Sequence, residues 1–242
     1  MVRGDRQVGG HDPRQRGMRD HLRFTIRGAT VEVEPDAAVV AGFTGRSELE
    51  TRAHLAELVE AGVTVPAVVP SFYSVPPSLL VQQDAMTVVH GGTSGEAEIA
   101  LVVDGPRTYV TLASDHTDRV VETRDIGLSK ALCQKVLASQ AWLLDDLIGH
   151  WDQLELRSWL TEDGGRTLYQ DGLAATLLPP AELLDRIPFA WRPETFVFLT
   201  GTLPAIGGIR PGESFAAELR DPVSGDAINL QYCVRVLDLL TT

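Results

Sequence analysis

The chain has 242 residues, of which 44% are hydrophobic, and its formal net charge is −12 at pH 7. That length suits one domain with a small addition or two small domains, with enough apolar residues for a sizeable core. The acidic balance argues against nucleic-acid binding, because a phosphate backbone attracts positively charged proteins. No apolar run reaches the length of a membrane helix, so we expect no membrane partner.

The first 20 residues predict a flexible tail. Met1–Asp20 combines arginine, glycine, aspartate and glutamine without the apolar stretch that a secretory signal needs. The two cysteines, Cys133 and Cys233, lie far apart in the sequence and match no metal-ligand spacing. Both observations favour a reducing compartment, and we expect a cytoplasmic protein.

Residues 21–82 predict a small β/α region that ends in a proline-rich connector. Alternating apolar residues over Leu22–Ile26 and Ala29–Val33 predict a β-hairpin. Ser47 then has the pattern of a helix N-cap, and a following glutamate completes a capping box. The connector Val65–Pro77 contains too much proline for a central strand or a helix.

The stretch Thr93–Arg119 organises the predicted site, since it is typical of a strand, a glycine-containing turn and a second strand. Glu96 and Glu98 are two residues apart, so on a strand they share one face, and Asp115 follows the second strand. Neighbouring carboxylates repel each other unless a cation neutralises them. The pattern predicts an oxygen-only site suited to Mg²⁺, Mn²⁺ or Ca²⁺, although two glutamates on a solvated sheet face would also produce it.

The rest of the chain predicts a strand-rich α+β fold. Ser129 and Lys130 fall in a predicted short loop, where the lysine is either a fixed cation inside a site or a surface group. Residues Ala131–His150 are predicted to be largely helical. The remaining predicted elements are a helix over Leu177–Ile187, strands over Leu154–Leu160, Arg166–Gln170, Thr195–Thr200 and Ser214–Leu219, and a final hairpin over Ala227–Leu240.

Four stretches in this order resemble the motifs of one enzyme superfamily. They are the Phe72-Tyr73 connector leading to Glu96–Val103, the segment Ser114–Arg119, Ser129-Lys130 before Ala141-Trp142, and Phe198–Gly208 before Pro211–Ser214. Together they resemble the fumarylacetoacetate hydrolase superfamily, in a poorly characterised branch. The resemblance implies a strand-rich, mixed β-sandwich or β-roll with a few peripheral helices and a small N-terminal segment. Residues 83–242 would then form the catalytic domain.

The resemblance also implies a metal site. Glu96, Glu98 and Asp115 match the metal ligands of the superfamily, which implies Mg²⁺, or Mn²⁺ or Ca²⁺, as the cofactor. Lys130 matches the catalytic lysine that contacts a substrate oxygen.

Further residues are assigned by the same resemblance. Gly201 and Thr202 would bind a carboxylate or enolate oxygen of the substrate, with Thr202 as a catalytic residue. Glu218 falls where some members place a glutamate that orients a catalytic histidine. Tyr73 and Arg119 are additional candidates for substrate binding.

One departure from the superfamily affects the predicted mechanism. No histidine follows Phe72-Tyr73, where hydrolytic members keep one to activate water. His54, His90 or His116 could take its place, and the sequence does not choose between them.

The leading hypothesis is a metal-dependent hydrolase that cleaves a C–C bond in a small β-diketo or 2-oxo acid, of the kind met in aromatic catabolism. The metal would stabilise an enolate. Decarboxylation or keto–enol isomerisation at the same site is the alternative reaction. A non-catalytic binding module with the same fold is the alternative of another class, favoured by the missing histidine. The resemblance also implies a homodimer, which would cover exposed sheet edges.

Overall fold

The computed structural model describes residues 21–60 and 65–237 of the chain. The predicted tail over residues 1–20 and the end of the predicted C-terminal hairpin lie outside these ranges. Within the two ranges, no helix combines the length and the apolar character needed to cross a membrane.

Strands dominate the described residues, as predicted for a strand-rich α+β fold. The strands are β1 (Leu22–Ile26), β2 (Ala29–Val33), β3 (Ala37–Gly42), β4 (Ser71–Val75), β5 (Leu80–Val81), β6 (Ala85–Val88), β7 (Thr93–Ser94), β8 (Ala97–Asp104), β9 (Arg107–Asp115), β10 (Thr117–Asp118), β11 (Lys135–Leu137), β12 (Trp142–Leu143), β13 (Glu155–Glu162), β14 (Gly165–Leu173), β15 (Thr195–Thr202), β16 (Ser214–Arg220) and β17 (Ala227–Val236). The α-helices are α1 (Glu48–Glu60), α2 (Arg119–Glu122), α3 (Ile126–Ala131), α4 (Leu144–Leu147) and α5 (Pro180–Arg186). Short 3₁₀ helices cover Pro77–Leu79, Ile148–Gln153, Ala174–Thr176 and Phe189–Trp191.

Two large sheets carry the fold. An eight-stranded sheet has the order β4-β3-β15-β8-β9-β11-β5, with β12 also paired to β9, and a five-stranded sheet has the order β14-β13-β16-β17-β6. Both are mixed, because β3 and β15 run parallel in the first sheet, as do β6 and β17 in the second. Strands β1 and β2 form a separate hairpin, and β7 pairs with β10. The predicted mixed sandwich is therefore present.

The eight-stranded sheet is buried on both faces. On one face, Ile99 and Leu101 of β8 belong to the same core as Phe215 of the five-stranded sheet. On the other face, Val102 packs in a second core with Phe24 of the β1–β2 hairpin. Burial on both sides explains why β8 is apolar at nearly every position instead of alternating.

A buried glutamine joins the two large sheets. Gln170 of β14 accepts hydrogen bonds at Oε1 from Ala97 N at 2.9 Å and Ser158 Oγ at 2.7 Å. Its Nε2 donates to Thr202 Oγ1 and to Leu203 O, each at 2.7 Å. The amide thereby uses both donors and both acceptor positions in a residue that is 1% exposed. Because Ala97 and Thr202 belong to β8 and β15, these bonds fix one sheet against the other.

The local predictions for the N-terminal region are confirmed. Strand Leu22–Ile26 pairs with Ala29–Val33 in the expected hairpin. Ser47 Oγ accepts a hydrogen bond from Glu50 N at 3.3 Å, as the capping pattern predicts. The division into residues 21–82 and 83–242 stays a prediction, and strands from both parts join the eight-stranded sheet.

The predicted helix over Ala131–His150 is wrong. Lys135–Leu137 forms β11, which runs antiparallel to β9 and parallel to β5. Trp142–Leu143 is a further strand on β9, and only short helical segments follow it. Pairing with distant strands outweighs the local helix propensity of this segment.

Two other predicted boundaries are corrected. Ser129 and Lys130 lie in α3 and not in a loop, because Asp125 Oδ1 accepts from Leu128 N at 2.9 Å and caps a helix there. The predicted final hairpin is one strand, Ala227–Val236, within the described residues, since it continues alongside both β16 and β6.

We predict that Gln170→Leu lowers the free energy of unfolding by about 2–4 kcal/mol, because buried backbone groups at Ala97 and Leu203 lose their partners. Urea denaturation followed by circular dichroism measures this change. Gln231→Leu, at an exposed position of β17, is the control and should change stability by less than about 0.5 kcal/mol. Equal effects of the two substitutions would contradict the role assigned to Gln170.

Candidate active site

Strands β8 and β9 bring three carboxylates together. Glu96 directly precedes β8, Glu98 lies on β8, and Asp115 ends β9. Asp115 N donates to Glu96 O at 2.9 Å, which ties the end of β9 to the start of β8. One carboxylate oxygen from each of the three residues lies within 4.8 Å of the others. The carboxylates thus converge as predicted, while their binding of a metal stays a prediction.

Two buried lysines contact Asp115. Lys130 Nζ, on α3, donates a hydrogen bond to Asp115 Oδ2, and Lys135 Nζ, on β11, forms an ion pair with Oδ1 at 2.7 Å. Lys135 Nζ also donates to His116 O at 2.6 Å. Burial opposes ionisation of the Asp115 carboxyl, but the two ammonium groups outweigh it and hold its pKa well below the usual range. Asp115 is therefore a carboxylate at physiological pH.

Lys130 is a fixed cation among the carboxylates. Its Nζ lies 3.7 Å from Glu96 Oε2 in addition to its contact with Asp115. Burial alone would lower the pKa of Lys130, but the surrounding carboxylates raise it above its usual value. Of the two sequence-based alternatives for Lys130, the surface position is wrong, because the residue is 5% exposed.

Lys135 was not predicted as a site residue. The incorrect helical assignment of this segment concealed it, because only the pairing of β11 with β9 places Lys135 opposite Asp115. Burial lowers the pKa of the Lys135 ammonium, and attraction to Asp115 offsets this only in part. The available signal was composition, since Lys130 and Lys135 are the only two lysines in the chain.

Glu98 is held by the backbone of β15. Gly201 N donates to Glu98 Oε2 at 2.8 Å. Gly201 has a φ of +99°, and a Cβ at this position would lie 2.0 Å from Thr44 Oγ1, so glycine is required. Burial, followed by repulsion from Asp115, raises the pKa of Glu98 well above its usual range despite the bond from Gly201. An additional cation is what would stabilise the ionised form of Glu98.

Arg119 orients Glu96. Its Nη2 lies 3.0 Å from Glu96 Oε1, its Nη1 bonds both carboxylate oxygens of Glu122 at 3.0 and 2.8 Å, and its Nε donates to Ser94 Oγ at 2.7 Å. Burial opposes the charge on Arg119, but the two glutamates raise its pKa above the ordinary value. All three guanidinium nitrogens contact protein groups, and a contact of Arg119 with substrate stays a prediction.

The two groups assigned to a substrate oxygen on β15 also bond to the protein. Thr202 Oγ1 donates to Ala97 O at 2.8 Å and accepts from Gln170 Nε2 at 2.7 Å. The amide of Gly201 donates to Glu98, as described above. In this structure, Gly201 and Thr202 shape the wall beside Glu98, and their contact with substrate stays a prediction.

The histidines proposed for water activation are engaged elsewhere, as far as their side chains are described. Both ring nitrogens of His116 lie 2.8 Å from hydroxyl groups, Nδ1 from Tyr232 and Nε2 from Thr93. Burial, together with Lys135 and Arg119, lowers the pKa of His116 to about 3, so the ring is neutral. His90 Nδ1 accepts from Gly92 N at 3.0 Å, and its Nε2 lies 2.9 Å from Asp118 Oδ2. The side chain of His54, in α1, lies outside what the structure describes.

The remaining predicted residues divide between the site and its surroundings. Tyr73 of β4 packs beside α3, since a Cβ at Gly127 would lie 3.2 Å from the Tyr73 ring. Glu218 is on β16 between two buried residues, so it faces away from the core, with Arg157 as its partner in register. The structure brings Tyr73 to the helix that carries Lys130 and does not bring Glu218 to the carboxylates.

The donor set fits a hard divalent cation. Carboxylate oxygens are the ligands that Mg²⁺, Mn²⁺ and Ca²⁺ prefer. The ammonium of Lys130 already lies against these oxygens, which shows that the cluster accommodates a positive charge. Glu96, Glu98 and Asp115 would hold such an ion.

Comparisons with known proteins identify a family model and a fold. A family model described as "Protein of unknown function (DUF2848)" matches residues 41–232. No curated protein matches the chain. Fumarylpyruvate hydrolase from Pseudomonas aeruginosa, in complex with Mn²⁺ and pyruvate, has a similar structure, with a TM-score of 0.66 at 15% identity over 90% of this chain and 97% of that protein.

Two other solved structures have the same fold. The 5-carboxymethyl-2-hydroxymuconate delta-isomerase from Mycobacterium smegmatis gives a TM-score of 0.58 at 16% identity, over 88% of this chain and 85% of its own. Yeast ynq8, a fumarylacetoacetate hydrolase family protein, gives a TM-score of 0.58 at 18% identity, over 84% of this chain and 94% of its own. The fold predicted from the sequence resemblance is therefore confirmed.

We predict that Lys130→Met tightens the binding of Mg²⁺ or Mn²⁺ on the order of 10- to 100-fold, because an ammonium no longer repels the divalent ion. Isothermal titration calorimetry measures the dissociation constants. Arg124→Met is the matched control, since it removes one charge at an exposed position nearby. Unchanged affinity in the Lys130 variant would show that its ammonium does not share the site of the metal.

We also predict that His116 makes the protein less stable as the pH falls below about 6.5. The native pKa of His116 is lowered from 6.5 to about 3, so between these values the unfolded chain binds a proton that the native state excludes. The contribution of His116 to the free energy of unfolding is complete above pH 6.5. It decreases by up to about 1.4 kcal/mol per pH unit as the pH falls toward 3.

Denaturant titrations between pH 7 and pH 5 test this prediction on matched variants. His116→Asn should have a shallower loss of stability toward acid than the wild type, whereas His21→Asn, at an exposed position, should keep the wild-type slope. The idea fails if all three proteins share one slope.

Proposed function

The chain belongs to the family described as protein of unknown function (DUF2848), and from its site and its fold we propose that it is a divalent-metal-dependent enzyme acting on a small oxo acid. The observation that carries the proposal is the cluster of Glu96, Glu98 and Asp115, with the Lys130 ammonium among them. Burial of so many charged groups is costly, and packing alone does not require any of them.

The proposed cofactor is Mg²⁺, with Mn²⁺ or Ca²⁺ as the alternatives. When bound, such an ion would act as a Lewis acid and stabilise negative charge on a carbonyl oxygen. Lys130 then provides a second, preorganised positive charge for an enolate oxygen, because α3 and Asp115 already fix its ammonium. Arg119 and Gly201 N position the two glutamates beside it.

A 2-oxo acid or a β-diketo acid is the proposed substrate class. Both offer two neighbouring oxygens that chelate one cation, and both form enolates. The similar hydrolase from Pseudomonas aeruginosa has Mn²⁺ together with pyruvate, which is a 2-oxo acid. A small anion of this kind also suits a cluster that contains Lys130 and Lys135.

Hydrolytic cleavage of a C–C bond is the first reaction that we propose, as the superfamily resemblance implies. Keto–enol isomerisation or decarboxylation is the second candidate. The observation that favours this second candidate is that His116 and His90 have both ring nitrogens engaged by the protein, whereas these two reactions require no activated water. A similar solved structure is an isomerase.

The location and assembly of the enzyme are further parts of the proposal. Cys133 and Cys233 are both free thiols, which supports a reducing, cytoplasmic compartment. The proposed homodimer follows from the superfamily resemblance, and light scattering at micromolar concentrations tests it.

We expect the melting temperature to rise with Mg²⁺ or Mn²⁺ and to rise again with oxalate, because a ligand that binds only the native state stabilises it. Glu98→Gln is the control, since it keeps an acceptor for Gly201 N but cannot provide a carboxylate. This variant should fold and show no response to metal. A wild-type melt that is insensitive to both additions would refute the metal site.

Turnover separates an enzyme from a binding module. We expect metal-dependent conversion of at least one 2-oxo or β-diketo acid in a screen, and Lys130→Met should lower the rate by about 100-fold or more at saturating metal. Product mass distinguishes hydrolysis, which adds water, from isomerisation and from decarboxylation, which releases carbon dioxide. Metal binding without any turnover would favour the module.

A further inference from the structure

One oxygen of each carboxylate in the cluster contacts a positively charged side chain or a backbone amide. Lys135 Nζ lies 2.7 Å from Asp115 Oδ1, Gly201 N donates to Glu98 Oε2 at 2.8 Å, and Arg119 Nη2 lies 3.0 Å from Glu96 Oε1. Three different elements supply these donors: a strand, a loop-like bulge in β15 and a short helix. Each carboxylate therefore has one oxygen that is not committed to these donors.

On Asp115 and Glu96, the other oxygen contacts the Lys130 ammonium. Lys130 Nζ bonds Asp115 Oδ2 and lies 3.7 Å from Glu96 Oε2. In each case this is the second oxygen of the carboxylate, the one that Lys135 or Arg119 does not contact. At Asp115 and Glu96, one carboxylate oxygen therefore contacts Lys135 or Arg119, and the other contacts Lys130.

Lys135 is the residue that maintains this division at Asp115. It is 0% exposed, and its Nζ is also anchored by His116 O at 2.6 Å. With Oδ1 in contact with Lys135, the Asp115 carboxylate would offer a metal one oxygen instead of two. This matters for the choice of ion, because Ca²⁺ takes six to eight oxygens and often binds a carboxylate through both, whereas Mg²⁺ takes six ligands in a strict octahedron.

We propose that Lys135 is a positioning residue that restricts Asp115 to one metal-facing oxygen, and that the site thereby selects Mg²⁺ over Ca²⁺. The proposal rests on the proposed function, in that it requires the cluster to bind a divalent ion. It adds a role for Lys135 and an order of preference between two ions.

The charge of Lys135 and its position have separable effects. Removing a positive charge tightens the binding of all divalent ions to a similar degree, because they carry the same charge. Releasing Asp115 Oδ1 instead favours the larger ion, which gains a second oxygen from the same carboxylate. The ratio of the Mg²⁺ and Ca²⁺ dissociation constants therefore reports position alone.

Calorimetric titration of Mg²⁺ and Ca²⁺ into wild type, Lys135→Met and Lys130→Met tests the proposal. Lys130 is a matched control, because it carries the same charge on the same carboxylate but contacts Oδ2. We expect wild type to bind Mg²⁺ more tightly than Ca²⁺, Lys135→Met to reduce this preference by about tenfold or more, and Lys130→Met to tighten both ions while keeping the preference within about threefold.

The outcomes separate this inference from the proposed function. If wild type binds neither ion, the proposed metal site itself fails. If it binds Ca²⁺ as tightly as Mg²⁺, or if a folded Lys135→Met variant keeps the wild-type preference, the role of Lys135 is refuted while the metal site stands.

A second measurement covers the case in which Lys135→Met does not fold. The chain has only two lysines, so selective ¹⁵N labelling of lysine gives two Nζ signals. Titration with Mg²⁺ should shift the Lys130 signal more than the Lys135 signal, because only Lys130 contacts the carboxylate oxygens that are proposed to face the ion. Movement of the Lys135 signal by as much as that of Lys130 would overturn the proposal.

Discussion

The ion pairs between Asp115 and the two lysines are the interaction on which the site depends. A buried carboxylate without a partner is so unfavourable that it would take up a proton or unfold its surroundings. Lys130 and Lys135 prevent this, and in doing so they tie α3 and β11 to the end of β9. The chain has no other lysines, although it has many arginines. A compact ammonium suits the small spaces on either side of one carboxylate better than a planar guanidinium does.

The fold provides this arrangement from its most protected part. Strands β8 and β9 lie inside the eight-stranded sheet and are covered on both faces, so the ends that carry the carboxylates have little freedom. The Gln170 amide fixes the start of β8 against the five-stranded sheet. Backbone, guanidinium and ammonium donors then orient the individual carboxylates. This layering is what allows three carboxylates to remain close together.

The parts of the site that depend on local geometry were predictable from the sequence. The alternation of side chains along an extended chain predicts that Glu98 and Glu96, which directly precedes β8, lie on the same side, and Asp115 follows because the next strand returns beside the first. Lys135 was not predictable in the same way, because its place depends on β11 pairing with a distant strand while its own segment favours a helix. Thr202 illustrates a different limit. A motif identifies the residue, but the hydrogen bonds that occupy its hydroxyl come from Gln170 and Ala97, on other strands.

The bond from Ala97 N to Gln170 has a consequence for observing the molecule in solution. Most amide hydrogens of a strand are released when their own sheet opens, but this one is held by a side chain of the opposite sheet. Its exchange with deuterium therefore follows the separation of the two layers and not the fraying of an edge. Because Ala97 stands between Glu96 and Glu98 in the sequence, the chain contains a natural reporter of layer opening in the middle of its acidic motif.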